Sequence, residues 1–235
     1  MKNMIKLIYT LMIALMIAGC GVEKVENKVI TIQPSNNESK IEVVKGSLTG
    51  SYTGEIKGEK PHGNGVFKFN APNSSGLTYT GGFKDGKFDG KFILVTNDNT
   101  NSRMEGVYKE GLLQGNCKHY ENGKLLTEIE FKDGNPNGKM IAYYDNGKIQ
   151  TEAEMKDGNP HGKMKMYYPN GKLQADMDIK GYKDGKPYGK AKLYYDNGQL
   201  KFDGETYSDY DEGTLYNRDG SVKQKGKFNA GVIKL

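Results

Sequence analysis

EIEFKDGNPNGKMIAYYDNGKIQT at residues 128–151 is followed directly by EAEMKDGNPHGKMKMYYPNGKLQA at residues 152–175. Both stretches contain a K-D-G-x-x-x-G-K segment, a short run that ends in two tyrosines, and an Asn-Gly pair. A third copy, YKDGKPYGKAKLYYDNGQL, covers residues 182–200. Self-similarity with a period of roughly 20 to 50 residues is the signature of a repeat architecture. The repeat therefore decides the fold.

The second glycine of the K-D-G-x-x-x-G-K segment marks each repeat along the chain. Its occurrences are Gly63, Gly90, Gly115, Gly138, Gly162, Gly189 and Gly213. The steps between them are similar, the shortest from Gly115 to Gly138 and the longest from Gly63 to Gly90 and from Gly162 to Gly189. The chain therefore contains seven repeats, and a half repeat, GKFNAGVIKL, follows at residues 226–235.

Two kinds of turn alternate along the chain and predict hairpins. The Asn-Gly pairs suit two-residue type I′ turns, which need positive φ at both central residues. The D-G-x-x-x-G segments are predicted to be longer turns, in which glycine takes positive φ at little steric cost. The Asn-Gly pairs lie at residues 122–123, 146–147, 170–171 and 197–198.

Between the turns, apolar and polar residues alternate with the period of a β-strand. Leu125, Thr127 and Ile129 fall on one face, whereas Glu128 and Glu130 fall on the other. We therefore predict an all-β fold, an elongated antiparallel β-meander of about seven 23–27-residue hairpin repeats in a single twisted or curled sheet. Its apolar face must be covered by curling, by packing as a sandwich or by forming a homodimer.

The first repeats resemble MORN (membrane occupation and recognition nexus) repeats. The resemblance rests on Y-T-G at residues 52–54 and again at residues 79–81, each followed by the glycine turn. Later repeats carry Ile129 and Ala153 at the glycine position, and they resemble the variant MORN repeats of bacterial YwqK-type antitoxins. The resemblance covers roughly residues 50–235. It implies association with a membrane or a partner, or neutralisation of a partner toxin.

The segment before Cys20 has the order of a bacterial export signal. Lys2 and Lys6 precede an apolar run over residues 7–17, and small residues lead to Cys20. The ending IAGC resembles a lipobox, where a signal peptidase cuts before a diacylated cysteine. An uncleaved membrane anchor is the alternative, since the apolar stretch is near the short limit of a bilayer span.

The domain organisation follows from this leader. We predict a lipoprotein signal peptide over residues 1–19, a lipidated Cys20 with a polar tether over 20–45, and the MORN-type repeat domain over 46–235. IEVV at residues 41–44 can form a short strand within the tether. The predicted location is the bacterial cell envelope. Resemblance to lipoproteins places the chain in the outer membrane if the host is Gram-negative.

The charge pattern does not predict a nucleic-acid partner. The formal net charge is +5, and loss of the two leader lysines leaves +5 − 2 = +3. Lysines and acidic residues alternate along the chain, which is typical of a solvated surface rather than a concentrated basic face. Besides Cys20 the chain has only Cys117, so the sequence predicts no disulfide framework.

Cys117 and His119 lie two residues apart on one predicted strand, and therefore on one face. Such a pair can act as a nucleophile and its base. The repeat register, however, aligns Cys117 with Phe92 and Met140, and His119 with Leu94, all at core-facing positions. We therefore predict a buried structural cysteine, no catalytic residue and no enzymatic activity.

The remaining polar clusters do not predict a metal or cofactor site. His62 and His161 occupy one turn position, where other repeats have Asp89 or Asn137, so we expect solvated turn tips. The acidic residues within 209–212 occupy the ordinary turn of their repeat and lack the ligand spacing of a calcium loop.

The tyrosine pairs predict the candidate recognition surface. The second tyrosines, at 144, 168 and 195, fall on the core face, which leaves Tyr143, Tyr167 and Tyr194 as a ladder on the other face. The ladder either stabilises the sheet by cross-strand stacking or binds a partner. We expect a membrane-anchored binding or scaffold module whose partner is a protein or an envelope glycan or lipid. The alternative is an antitoxin or immunity protein.

Overall fold

A computed structural model gives the architecture of most of the repeat region. It describes residues 39–43, 48–58, 60–69, 76–96 and 101–229. The predicted signal peptide and Cys20 lie outside the described residues. None of the described residues belongs to a helix of the length and hydropathy needed to cross a membrane.

The described residues form sixteen β-strands and no helix. The strands are β1 (Ser39–Val43), β2 (Leu48–Lys57), β3 (Lys60–Phe69), β4 (Thr78–Lys84), β5 (Lys87–Val95), β6 (Arg103–Lys109), β7 (Leu112–Glu121), β8 (Lys124–Lys132), β9 (Asn135–Tyr143), β10 (Ile149–Lys156), β11 (Asn159–Tyr167), β12 (Leu173–Lys183), β13 (Lys186–Tyr194), β14 (Leu200–Thr206), β15 (Tyr210–Tyr216) and β16 (Val222–Asn229).

The strand order in the sheet is the chain order, without a crossover. Neighbouring strands are antiparallel, as in the pairs β2–β3, β4–β5 and β10–β11. This confirms the prediction of an all-β antiparallel meander built from hairpins. Strand β1 pairs with β2 and lies within the segment predicted to be a tether, where we expected a short strand at residues 41–44.

The packing divides the chain into two compact units, called the first and the second unit below. The first extends to Leu125 and includes Glu130–Asn135. The second comprises Leu126–Ile129 and continues from Pro136. Each unit has a buried face and an opposite face, which we call the outer face.

The turn assignment made from the sequence was wrong for most hairpins. The Asp-Gly pair at residues 85–86 has positive φ at both residues, 50° and 84°. It joins Lys84 to Lys87, which are paired, so it is a two-residue hairpin turn with the φ signs of type I′. The pairs at residues 110–111, 133–134, 157–158 and 184–185 also have positive φ at both positions.

Three of the four Asn-Gly pairs lie in a longer loop instead. In the loop after β9, Gly147 has positive φ and its N–H donates to the Tyr144 carbonyl, while the Tyr144 N–H donates to the Lys148 carbonyl. This is a type I turn followed by a left-handed glycine. Pro169 in the next loop is compatible with this turn, because its φ is fixed near −65° and suits the second position of a type I turn. Only the pair at residues 122–123 has positive φ at both positions.

An aromatic core distinguishes the first unit. The rings of Tyr79 and Phe88 stack with centroids 4.1 Å apart, and Tyr52 meets Phe83 edge-on at 4.9 Å. Such pairs add roughly 0.5–1.5 kcal/mol each to the stabilisation from burial.

The Tyr-x-Gly motif arises from the same packing. A Cβ placed at the motif glycine, Gly54, would lie 2.6 Å from the Tyr52 hydroxyl, and one at Gly65, opposite Gly54, would overlap the buried Tyr52 ring. The Tyr52 hydroxyl donates to the Glu55 carbonyl at 2.7 Å, and the Tyr79 hydroxyl donates to the Gly82 carbonyl at 2.9 Å. Glycine therefore makes room for the ring, and the hydroxyl bond fixes the position of the ring.

The second unit fills the same space with different residues. Its buried face is formed by methionines and alanines, such as Met140, Met164 and Ala175. At the tyrosine and glycine positions of Tyr-x-Gly it carries Thr151 with Ala153, and Ala175 with Met177, all buried. In the second of these pairs the larger side chain is at the glycine position instead of the tyrosine position, a redistribution of volume that cores tolerate.

Candidate binding surface

Opposite charges alternate across the outer face of the second unit. In the strand register, Lys165 lies opposite Asp176, Asp176 lies opposite Lys192, and Lys192 lies opposite Asp203. A parallel row runs through Lys163, Asp178, Lys190 and Glu205. Directly opposite charges of unlike sign stabilise a sheet by roughly 0.2–1 kcal/mol per pair. The rows therefore stabilise the sheet and leave this face without a block of one charge.

The three predicted tyrosines lie at the next position along these strands. Tyr143, Tyr167 and Tyr194 end β9, β11 and β13, and each is half-buried. They are two strands apart, roughly 10 Å at the usual interstrand spacing. That distance is too great for ring stacking, so the stacked ladder that we considered from the sequence does not form.

Carboxylates on the preceding strand hold two of these three tyrosines. The Tyr143 hydroxyl donates to Glu128 at 3.2 Å, and the Tyr167 hydroxyl donates to Glu152 at 2.9 Å. Glu152 lies opposite Lys165, two residues before Tyr167, so the ring must lie diagonally across the strand pair to reach it. The bond therefore fixes the position of the hydroxyl, while the side chain stays partly exposed.

The carboxylates also keep the hydroxyls protonated. Burial, with the hydrogen bond to Glu152 and its charge, raises the pKa of Tyr167 to about 12. Burial and Glu128 raise the pKa of Tyr143 in the same direction. Both side chains are therefore neutral at physiological pH.

The first unit contains one tyrosine held in the same way. Tyr120 donates to Glu105 at 3.0 Å, but the Arg103 guanidinium lies over its ring, 5.2 Å from the centroid. Among the described residues of the second unit, no cation lies over the three ladder tyrosines and no aromatic ring packs against them. In the strand register Ile149, Leu173 and Leu200 lie opposite the three tyrosines, and each tyrosine remains partly exposed.

The second tyrosine of each Tyr-Tyr pair links its own loop to the loop that follows along the chain. The hydroxyls of Tyr144, Tyr168 and Tyr195 donate to the carbonyls of Tyr167, Tyr194 and Tyr216, at 2.6, 2.8 and 2.8 Å. They are half-buried, not within the core as the alternation predicted.

Other loop residues make similar contacts with the following loop. Asn146 donates to the Pro169 carbonyl at 3.0 Å, and the Lys148 ammonium donates to the Asn170 carbonyl at 2.9 Å. Each loop thus binds the backbone of the loop that follows it. These contacts hold the ladder tyrosines at a constant spacing.

The first unit has a different outer face. Thr80 lies opposite Ile93, and Lys91 lies opposite Val107, on the walls of an open groove of about 480 Å³. Ile93 and Val107 are 40% and 38% exposed, so this groove has an apolar floor. The sequence did not predict this groove, because nothing in the repeat pattern singles out Ile93 and Val107.

Cys117 and His119 are buried in the first unit, as the repeat register predicted. Burial, followed by the charge of Glu105, raises the pKa of the Cys117 thiol to about 12. The thiolate is the reactive form of cysteine, so this group is poorly suited to nucleophilic attack. Burial lowers the pKa of His119, whose Nε2 lies 2.8 Å from the Ser102 hydroxyl.

The turn histidines remain at the surface. His161 is exposed, and the Nδ1 of His62 is 3.5 Å from the backbone nitrogen of Asp85. Asp211 is buried, whereas Asp209 is exposed. Within the described parts of the chain, no three His, Cys, Asp or Glu side chains are grouped so as to hold a metal ion.

Comparison with known proteins identifies the repeats of the second half. The family described as MORN repeat variant matches residues 116–133, 136–157, 160–180 and 187–209. Each match spans two strands joined by an Asn-Gly loop. No curated protein sequence matches the chain significantly. Four repeats in the second half of the chain thus match this family, and repeat architectures present extended binding surfaces.

Proposed function

We propose that this chain is a lipid-anchored binding module of the bacterial cell envelope, and that it recognises its partner through the outer tyrosine ladder. We define this ladder as Tyr143, Tyr167 and Tyr194. The observation that carries the proposal is the placement of these rings at one position in successive hairpins, where each is partly exposed. Tyrosine combines a large apolar area with few rotatable bonds, which makes it effective in recognition.

The surroundings of the ladder support binding rather than catalysis. The rings of Tyr143 and Tyr167 are fixed before any partner arrives, because their hydroxyls are bonded to Glu128 and Glu152. Preorganised contacts lose less conformational entropy on association. The buried thiol of Cys117 does not offer a nucleophile to solvent. We therefore propose no enzymatic activity for the chain.

The proposed anchor rests on the leader sequence. The apolar run over residues 7–17 leads to the IAGC ending at Cys20, where acylation would attach the mature chain to a membrane. A multiply acylated cysteine gives stable attachment, whereas one acyl chain gives only marginal binding. A following tether would hold the repeats near the membrane.

The anchor is tested by labelling bacterial cells with radioactive palmitate. We expect label on the full-length chain and none on the Cys20→Ser variant. Label on that variant, or an unlabelled wild-type chain, would contradict the anchor and leave the binding surface unaffected.

The binding surface is tested by affinity capture from intact cells. Full-length wild type is compared with a Tyr143→Ala, Tyr167→Ala, Tyr194→Ala variant and with the corresponding three phenylalanine substitutions. We expect the alanine variant to lose its envelope partner and the phenylalanine variant to keep it. Capture that is indifferent to all six substitutions would refute the proposal. A tight stoichiometric complex with one toxic protein would favour the antitoxin hypothesis instead.

A further inference from the structure

We propose that the outer tyrosine ladder binds a linear, uncharged glycan whose chain runs across the strands. This inference rests on the proposed binding function and names the class of partner for that same surface.

The spacing of the ladder fits a polymer. Tyr143, Tyr167 and Tyr194 occupy the same position on β9, β11 and β13, two interstrand spacings or roughly 10 Å apart. A β-1,4-linked pyranose chain is extended and turns the same sugar face outward at every second residue, a repeat of similar length. One disaccharide would therefore correspond to one tyrosine.

The exposed part of the rings suits sugar faces. The bond to Glu152 fixes the Tyr167 hydroxyl, and each ladder tyrosine is only half-buried. A sugar ring presents polarised C–H groups on its flat faces, and these groups are attracted to the electron-rich face of an aromatic ring. The Tyr120 ring face attracts positive charge in the same way, since the Arg103 guanidinium covers it.

The alternating charges beside the ladder favour an uncharged glycan. Beside the ladder, Lys165, Asp176, Lys192 and Asp203 pair in alternation across the strands. A polyanion or a polycation would meet a repulsive charge at every second strand. The hydroxyl and amide groups of a neutral sugar can accept from lysine and donate to carboxylate, so both signs of charge are useful to it.

A length series tests the inference most sharply. The probes are cello-oligosaccharides and N-acetylglucosamine oligomers of two, four and six sugars, titrated into full-length protein in detergent. We expect affinity to rise with each added disaccharide up to six sugars, because each disaccharide reaches one further tyrosine and linked contacts reinforce one another. Oligomers of α-1,6-linked glucose, which lack the straight repeat, serve as the matched negative probe.

Variants then locate the site. Each single change, Tyr143→Ala, Tyr167→Ala or Tyr194→Ala, should weaken hexasaccharide binding by about tenfold, as for a tyrosine at the centre of an interface. The phenylalanine substitutions should retain binding, since the ring face remains. Tyr182→Ala is the control, because Tyr182 is 39% exposed in the same unit but lies outside the ladder. Thermal unfolding of every variant shows whether it is folded.

Three results would overturn the inference: no binding of any β-1,4-linked oligomer, an affinity independent of length, or equal binding by the alanine variants. If envelope capture still depends on the ladder while the oligomers fail to bind, the glycan assignment is wrong and the binding function stands. If neither depends on the ladder, both are wrong.

Discussion

Replacing His119 with leucine should stabilise the protein, although it removes a hydrogen bond. His119 is 7% exposed, and its Nδ1 has no hydrogen-bond partner among the described residues. An unsatisfied buried polar atom costs about 1–3 kcal/mol, whereas the bond from His119 to Ser102 contributes about 0.5–1.5 kcal/mol. Leucine already occupies the equivalent position at Leu94 and Leu193. His119→Leu should therefore raise the free energy of unfolding by about 1 kcal/mol at pH 7.

The stabilisation that His119→Leu provides over the wild type should be larger at acidic pH. Burial lowers the pKa of His119 in the folded state, so the unfolded chain binds a proton more tightly. The wild type therefore loses stability as pH falls below the ordinary histidine pKa of about 6.5. That loss reaches at most about 2 kcal/mol at pH 5, and it is absent in the leucine variant.

Urea unfolding at pH 7 and pH 5, followed by circular dichroism, measures both effects. His161→Leu is the matched control, because His161 is exposed and its replacement should change neither the stability nor its pH dependence by much. A His119→Leu protein that is less stable than wild type, or that keeps the full acid dependence, would refute the reasoning. Loss of envelope capture in a folded His119→Leu protein would also show that the histidine has a role beyond packing.

Two further predictions concern buried hydroxyls and the ladder carboxylates. Thr127→Val should raise the free energy of unfolding by about 1 kcal/mol, because the buried Thr127 hydroxyl has no partner in the described part of the chain; a lower urea midpoint would show that the hydroxyl is bonded. Glu152→Gln should lower the pKa of Tyr167 from about 12, since it removes the neighbouring charge. The raised pKa belongs to the folded state, so the stability that Tyr167 contributes is lost as pH rises from about 10 to 12. The Glu152→Gln variant should lose less of this stability. A ring NMR titration that shows no change in the Tyr167 pKa would contradict this.

The repeat and its two faces could be predicted from sequence because they depend on local patterns. The regular step between the marker glycines predicted the hairpins. The alternation of apolar and polar residues predicted the buried face that contains Cys117 and His119. Turn types were predicted less well, since Asp-Gly and Asn-Gly both accept positive φ. Pro169 was the available signal, because a proline directly before Asn-Gly favours the longer loop.

The anchoring of the tyrosine ladder was missed although the sequence contains it. The middle residue at the Tyr-x-Gly position is acidic in repeats whose next strand ends in a tyrosine, as in Glu128 with Tyr143 and Glu152 with Tyr167. The first repeat has Thr53 at this position, and Lys68 stands where the tyrosine would be. The contacts between loops could not be predicted, because they join residues 21 to 26 positions apart through the register of several strands.

The central claim is that the outer tyrosine ladder is the surface that touches the partner. A photo-crosslinking phenylalanine placed at Tyr167 in living cells tests it directly, since the benzophenone group reacts with C–H bonds of proteins and sugars alike. We expect a crosslinked envelope species from position 167 and none from position 182 in the same unit. Crosslinking from position 182 with none from position 167 would contradict the account.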